Sequence, residues 1–210
     1  MSSPRQRRRG VLLAGGSGTR FGGQAKGLLR FGGGRLADAA LGALRATCDD
    51  VLIAANDTAA DQWFPGHHVV RDALAGRGAL GALETALLAG EGALIVVCAW
   101  DMPFVNREVL DRLAATVERG ATCCVPVHAD GRCEPLCAAY APSCAAVATA
   151  LLAGGERAAH ALADAVGGAK WQIAAMLSPA AASRTFFNVN TPDDLQLAES
   201  WLSLQQRDAR

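Results

Sequence analysis

Five glycines fall among the nine residues of Gly15-Gly16-Ser17-Gly18-Thr19-Arg20-Phe21-Gly22-Gly23, and Lys26 follows shortly after. Glycine at that density lets a loop take positive φ and turn successive amides inward. The result is a nest for an anion, to which Arg20 and Lys26 add full charges. A merely flexible loop with incidental charges is the competing reading. Composition weighs against it, because the chain has 18 arginines and only two lysines, so a lysine at position 26 points to a need for a compact ammonium. A second group, Trp100-Asp101-Met102-Pro103, follows the most apolar run of the chain. A lone carboxylate beside an anion nest suits Mg²⁺, which takes one or two carboxylates and completes its shell with phosphate oxygens and water. A turn or helix-capping Asp is the plainer alternative. In the third group, Phe186-Phe187-Asn188-Val189-Asn190-Thr191-Pro192, extended chain puts Asn188 and Asn190 on one face, where two amides can bond one ligand or a metal's water shell.

Commoner motifs do not fit. Neither lysine completes a Walker pattern, and the match Gly32-Gly33-Gly34-Arg35-Leu36-Ala37 to a dinucleotide fingerprint is cheap in a chain with 23 glycines and 44 alanines. Cys123, Cys124, His128, Cys133 and Cys137 lie close together, but neighbouring residues of a strand face opposite ways, and no C-x-x-C pair is present to hold zinc.

These groups need elements to position them. Short apolar runs at 11–14, 51–54, 68–71, 94–98, 122–127 and 136–140 read as strands, several apolar on both faces as central parallel strands are. Helical periodicity covers 36–47, 80–89, 107–118, 143–152 and 192–204, the last with Thr191 as N-cap, Pro192 at the first helical position and two aspartates in the first turn. Strands alternating with helices predict an α/β fold, a doubly wound and mostly parallel sheet with helices on both faces. Ligands of such sheets bind beyond the carboxyl ends of the strands, where the first two groups fall.

The 210 residues suit a single domain, expected over 10–205 behind a basic, solvated tail at 1–9. The 20 basic and 20 acidic side chains cancel, and without the arginines of the tail the body is mildly acidic, which disfavours nucleic acid as a partner. No apolar run is long enough to cross a membrane, and seven cysteines without an export signal predict free thiols and a cytoplasmic location.

Taken in order, the segments resemble the molybdenum cofactor guanylyltransferases (MobA type) of the nucleotidyltransferase group, over roughly 10–204. The resemblance rests on Leu13-Ala14-Gly15-Gly16 with Arg20, Gly22-Gly23 and Lys26-Gly27-Leu28; on Val70-Arg71-Asp72; on Gly78-Ala79-Leu80-Gly81-Ala82-Leu83; on Asp101-Met102-Pro103-Phe104; on Glu134-Pro135-Leu136 with Tyr140; and on Asn188-Val189-Asn190-Thr191-Pro192. It implies transfer of GMP from GTP to the phosphate of molybdopterin, giving the guanine dinucleotide and pyrophosphate, with Mg²⁺ on Asp101. It further implies that Leu13, Asn56 and Asp72 line the guanosine pocket, that Ala14 and Gly15 to Gly18 join them in holding the nucleotide, and that Asn188 and Asn190 lie on the acceptor or metal side. Arg20, Lys26 and Asp101 are the expected catalytic residues, and transient contact with proteins that deliver or receive the cofactor is expected. The chain departs from the family pattern at Ala25, where Asp is usual, at Ala99-Trp100, where Pro-Cys is usual, and at Gly78-Ala79-Leu80-Gly81-Ala82, where Gly-Pro-Leu-Ala-Gly is usual. Trp100 is expected to point away from Asp101 and pack, with its N–H meeting a partner at the polar rim. A cytidylyltransferase, a sugar-phosphate nucleotidyltransferase and a non-catalytic nucleotide-binding module are the alternatives.

Overall fold

The computed structural model describes residues 6–15, 21, 23–72 and 76–208, with side chains to residue 204. The strands are β1 (Arg8–Leu13), β2 (Arg30–Phe31), β3 (Gly34–Arg35), β4 (Asp50–Ala54), β5 (Val69–Val70), β6 (Leu94–Ala99), β7 (Cys123–Val127), β8 (Cys137–Tyr140) and β9 (Ala169–Gln172). The helices are α1 (Asp38–Thr47), α2 (Ala60–Trp63), α3 (Gly78–Leu88), α4 (Arg107–Glu118), α5 (Cys144–Ala153), α6 (His160–Ala165), α7 (Pro179–Thr185) and α8 (Pro192–Asp208). Among the described residues, seven strands form one sheet in the order β5-β4-β1-β6-β8-β7-β9. All neighbours pair parallel except β8, which runs antiparallel to both β6 and β7.

Alternation along the strands builds the two faces. Leu12 and Ala14 of the β1 region pack with Val96 and Cys98 of β6, under residues of α1 and α4. Val11 and Leu13 pack with Ile95 and Val97 on the opposite face, under residues of α3, α5 and α6. Cys123 and Cys124 divide between these two cores, as neighbours on a strand must. β8 is reversed because only nine residues separate it from β7, enough for a hairpin and too few for a parallel crossover. Its start, and not its end, therefore reaches the rim formed by the carboxyl ends of β1, β4 and β6. Cys137 sits opposite Cys98, which carries Glu134-Pro135-Leu136 alongside Ala99-Trp100-Asp101.

The expected tail at 1–9 is corrected at its end. β1 begins at Arg8, and Arg8 and Arg9 are buried. Arg8 grips Glu118 through Nε and Nη2 at 2.7 and 2.8 Å and Asp111 through Nη1 at 2.7 Å, while Arg9 holds Asp50 at 2.9 Å and Glu91 at 3.0 Å. Carboxylates of α4 and at the start of β4 thus compensate arginines that open a buried strand, a pairing across distant segments that no local run of charge reveals. The glycines of the fingerprint-like match make a two-residue hairpin between β2 and β3, with Gly32 at φ +56°.

Candidate active site

Asp101 lies just past the end of β6 and is buried, and its Oδ2 accepts from Lys26 Nζ at 2.5 Å. Lys26 opens a 3₁₀ turn, Lys26–Leu28, and donates also to Asn190 Oδ1 at 3.0 Å. Asn190 is fixed at the head of α8. Its N–H and that of Thr191 donate to Asp194 Oδ2 at 2.9 and 2.8 Å, and the Asp194 N–H donates to Thr191 Oγ1 at 3.1 Å. Burial pushes the Asp194 carboxyl up, but these donors, with Lys26 nearby, hold it below its ordinary range. The Val189 N–H donates to the Asp101 carbonyl at 3.0 Å, so the asparagine segment is tied directly to the aspartate loop.

A second polar group stands at the edge of the sheet. Asn56 Nδ2 donates to Asp72 Oδ2 at 2.9 Å, the Asp72 N–H donates to Asn56 Oδ1 at 2.8 Å, and Thr85 Oγ1 of α3 donates to Asp72 Oδ1 at 2.7 Å. Leu13, Gly15, Asn56, Asp72, Asp101 and Asn188 all line one cavity of about 1360 Å³. A single small ligand seldom needs more than about 1,000 Å³, so the space suits two substrates side by side. Its far wall carries Arg132, Glu134, His160, Asp164 and Lys170. Glu134 is buried there, accepts from Arg132 Nη1 at 2.5 Å and pairs with His128 Nε2 at 2.8 Å.

The structure thus brings Lys26, Asp101 and Asn190 into direct contact, Asn56 and Asp72 into another contact, and Asn188 to the same cavity. Ala14 turns its side chain into the core on the opposite face and joins β4 through its N–H, 2.8 Å from the Ala54 carbonyl. Gly16, Ser17, Gly18 and Arg20 lie outside the described residues. Thr85 has no counterpart in the sequence reading. Its signal was available, since Gly78, Ala82 and Thr85 fall three and four residues apart and share one face of a helix. Arg77, paired with the buried Glu84, was missed likewise.

Trp100 packs as expected. It is 2% exposed, stacks on Trp63 at 5.3 Å between ring centroids, and lies over Gly27, where a Cβ would come within 2.2 Å of its ring. The expected partner for its N–H is not present among the described residues. Nor does any group of three or more His, Cys, Asp or Glu side chains among those residues gather to hold a metal. A cation on Asp101 would therefore draw most of its shell from ligand oxygens and water. Hard oxygen donors of that kind fit Mg²⁺.

A mostly parallel sheet, a lysine–aspartate pair at its rim and an anchored carboxylate across the same cavity define a nucleotidyltransferase-type α/β protein. The chain belongs to the MobA-like NTP transferase family, whose domain model matches residues 10–168. It is 33% identical over 201 residues to a probable molybdenum cofactor guanylyltransferase of Chloroflexus aggregans, covering 92% of this chain and 94% of that one. Among solved structures, molybdopterin-guanine dinucleotide biosynthesis protein A from Archaeoglobus fulgidus superposes with a TM-score of 0.78 at 27% identity, covering 93% of this chain and 99% of that one. Rv0371C from Mycobacterium tuberculosis H37Rv, solved as a complex with manganese, shares the fold at a TM-score of 0.68 and 20% identity, over 94% of this chain and all of that one. Among the described residues, no helix is long and apolar enough to cross a membrane.

Proposed function

We propose that this chain transfers GMP from GTP to the phosphate of molybdopterin with Mg²⁺, releasing pyrophosphate. The observation that carries the reading is the Lys26–Asp101–Asn190 contact on the rim of a cavity whose other end presents Asp72. An acceptor phosphate is already a nucleophile at neutral pH. The site's task is to hold it in line with the α-phosphorus and to offset charge as a bond to the acceptor oxygen forms and the bond to pyrophosphate breaks. Asp72 accepts from the base's N1 and N2 hydrogens, beside Leu13 and Asn56. Lys26 exchanges its bond to Asp101 for a phosphate oxygen, and the loop amides of Gly15 to Gly18 with Arg20 hold the triphosphate. Asp101 holds Mg²⁺, which when bound supplies positive charge to the phosphates. Asn188 and Asn190 orient the acceptor or the water around the metal.

The stretch from β1 through α8 acts as one domain in this reading. The seven free thiols suit a reducing, cytoplasmic setting, where cofactor-delivery and cofactor-accepting proteins are the expected transient partners. Pyrophosphate release from GTP in the presence of molybdopterin and Mg²⁺ tests the activity. Release from CTP in place of GTP would turn the assignment to a cytidylyltransferase. Release with a sugar phosphate in place of molybdopterin would turn it to a sugar-phosphate enzyme. Nucleotide binding without any release would make the chain a binding module.

A further inference from the structure

We infer that Thr85 is a positioning residue for base selection: its hydroxyl sets the plane of the Asp72 carboxylate, and so the preference for a purine that offers both a ring N–H and a 2-amino group. The inference rests on the guanylyl-donor reading and adds to it a residue that nothing else points out. Asp72 stands two residues beyond β5, a two-residue edge strand that pairs only through Ile53↔Val69 and Ala54↔Val70. So short a ladder leaves the carboxylate to be held by its side-chain bonds. Asn56 holds one oxygen, Oδ2, at 2.9 Å, and Thr85 holds the other, Oδ1, at 2.7 Å. With one oxygen tethered, the group still rotates about that bond. With both tethered, its plane is fixed.

Each oxygen has two acceptor sites, so one site on each remains for a ligand. Two parallel donors on the edge of a base need both oxygens in the plane of that base, and a tilted carboxylate keeps at most one of the two bonds. Thr85 carries the only hydroxyl in α3. In a helix that group commonly bonds back to the carbonyl four residues earlier; here it donates across to Asp72. The face of α3 beside it is small. Arg77 covers Gly81, while Ala82 lines the cavity with Asp72 and its single methyl keeps space before the carboxylate.

The test compares dissociation constants of the full chain for GTP and for ITP, which lacks the 2-amino group, with Mg²⁺ present throughout. Wild type should hold GTP more tightly than ITP. Thr85→Val keeps the shape and removes the hydroxyl; it should weaken GTP about five- to tenfold, leave ITP within about twofold, and bring the ratio toward one. Thr85→Ser keeps the hydroxyl and should keep the ratio. Equal weakening of both nucleotides by Thr85→Val would mark Thr85 as a tether of the loop alone and overturn the assignment, as would a GTP preference that survives in that variant. Wild type that holds GTP no better than ITP would overturn the guanylyl-donor reading itself, a result visible before any variant is made.

Discussion

Lys26 sits where an ammonium differs most from a guanidinium. It is bounded by Asp101 Oδ2 at 2.5 Å and Asn190 Oδ1 at 3.0 Å, with its side chain only 15% exposed. A planar, branched head of five donors needs more room than that pocket has and cannot leave Asp101 for a single phosphate oxygen without moving both neighbours. Lys26→Arg should therefore lose nearly as much turnover as Lys26→Ala, about 100-fold or more in kcat, and full activity in Lys26→Arg would remove the residue from the mechanism. Asp101→Asn leaves shape and burial almost unchanged and takes away the charge meant for a cation. It also leaves the Lys26 ammonium against a neutral amide, so it should fold but melt several degrees below wild type and lose about 100-fold or more in pyrophosphate release, whereas near wild-type release would reject Asp101 as a metal ligand. Both residues were legible in the sequence, Lys26 through the scarcity of lysine and Asp101 through its place after an apolar strand. Thr85 was legible only as a member of the helix face it shares with Gly78 and Ala82; its role depends on Asp72, thirteen residues away in the segment after β5, and that contact the sequence does not display.

The elements that carry these residues were legible where their pattern was strong. The six expected strands and five expected helices are all present, since buried strands read as apolar runs and α4 and α8 carry side-chain N-caps at Asn106 and Thr191. β2, β3 and α2, two to four residues each, escaped together with β9, α6 and α7. β9 is an edge strand that alternates half-buried and exposed residues, and α6 and α7 are short and alanine-rich, so their apolar period is faint; Ser178 capping α7 with Pro179 behind it was the one local signal. The junction of β6 with the 3₁₀ turn at Lys26 was hidden for another reason. Trp100 lies on Gly27 and against Trp63, so a glycine in one segment makes space for an indole in another. Trp100→Phe removes stacking area and relieves a buried N–H that has no partner among the described residues, two effects of opposite sign. Lost packing should win by about 1 kcal/mol, giving a lower melting temperature with a KM for GTP within about threefold of wild type. Unchanged melting with a tenfold or larger rise in KM would make the ring part of the nucleotide site.

Across the whole molecule, equal numbers of acidic and basic groups hide an uneven titration. Of the 20 basic side chains only two are lysines, the arginines stay charged, and there is one tyrosine, so in the alkaline range the thiols dominate. The sequence indicated free thiols, and all seven are free. What it left unread was their depth, because burial of Cys48, Cys123 and Cys144 is decided by which helices close over the two faces. Burial pushes Cys48 and Cys123 up to about 12 and Cys144 up to about 11, from an ordinary value of 9.0. Between pH 9 and 11 the unfolded chain gives up these protons while the folded chain keeps them, so rising pH favours unfolding. Cys124 is raised by burial too, and Cys98 by its hydrogen bond with Cys137 and by burial, so five thiols each contribute a slope of about 1.4 kcal/mol per pH unit, about 7 kcal/mol per unit together, a large share of the roughly 5–15 kcal/mol that holds a domain folded. The melting temperature should hold steady from pH 7 to 8.5 and fall steeply above 9. In Cys123→Ala, which removes one of the five raised thiols, the slope above pH 9 should be shallower by about a fifth. Melting that stays flat to pH 10.5, or a slope that Cys123→Ala leaves untouched, would show that the buried thiols do not set the alkaline limit of this fold.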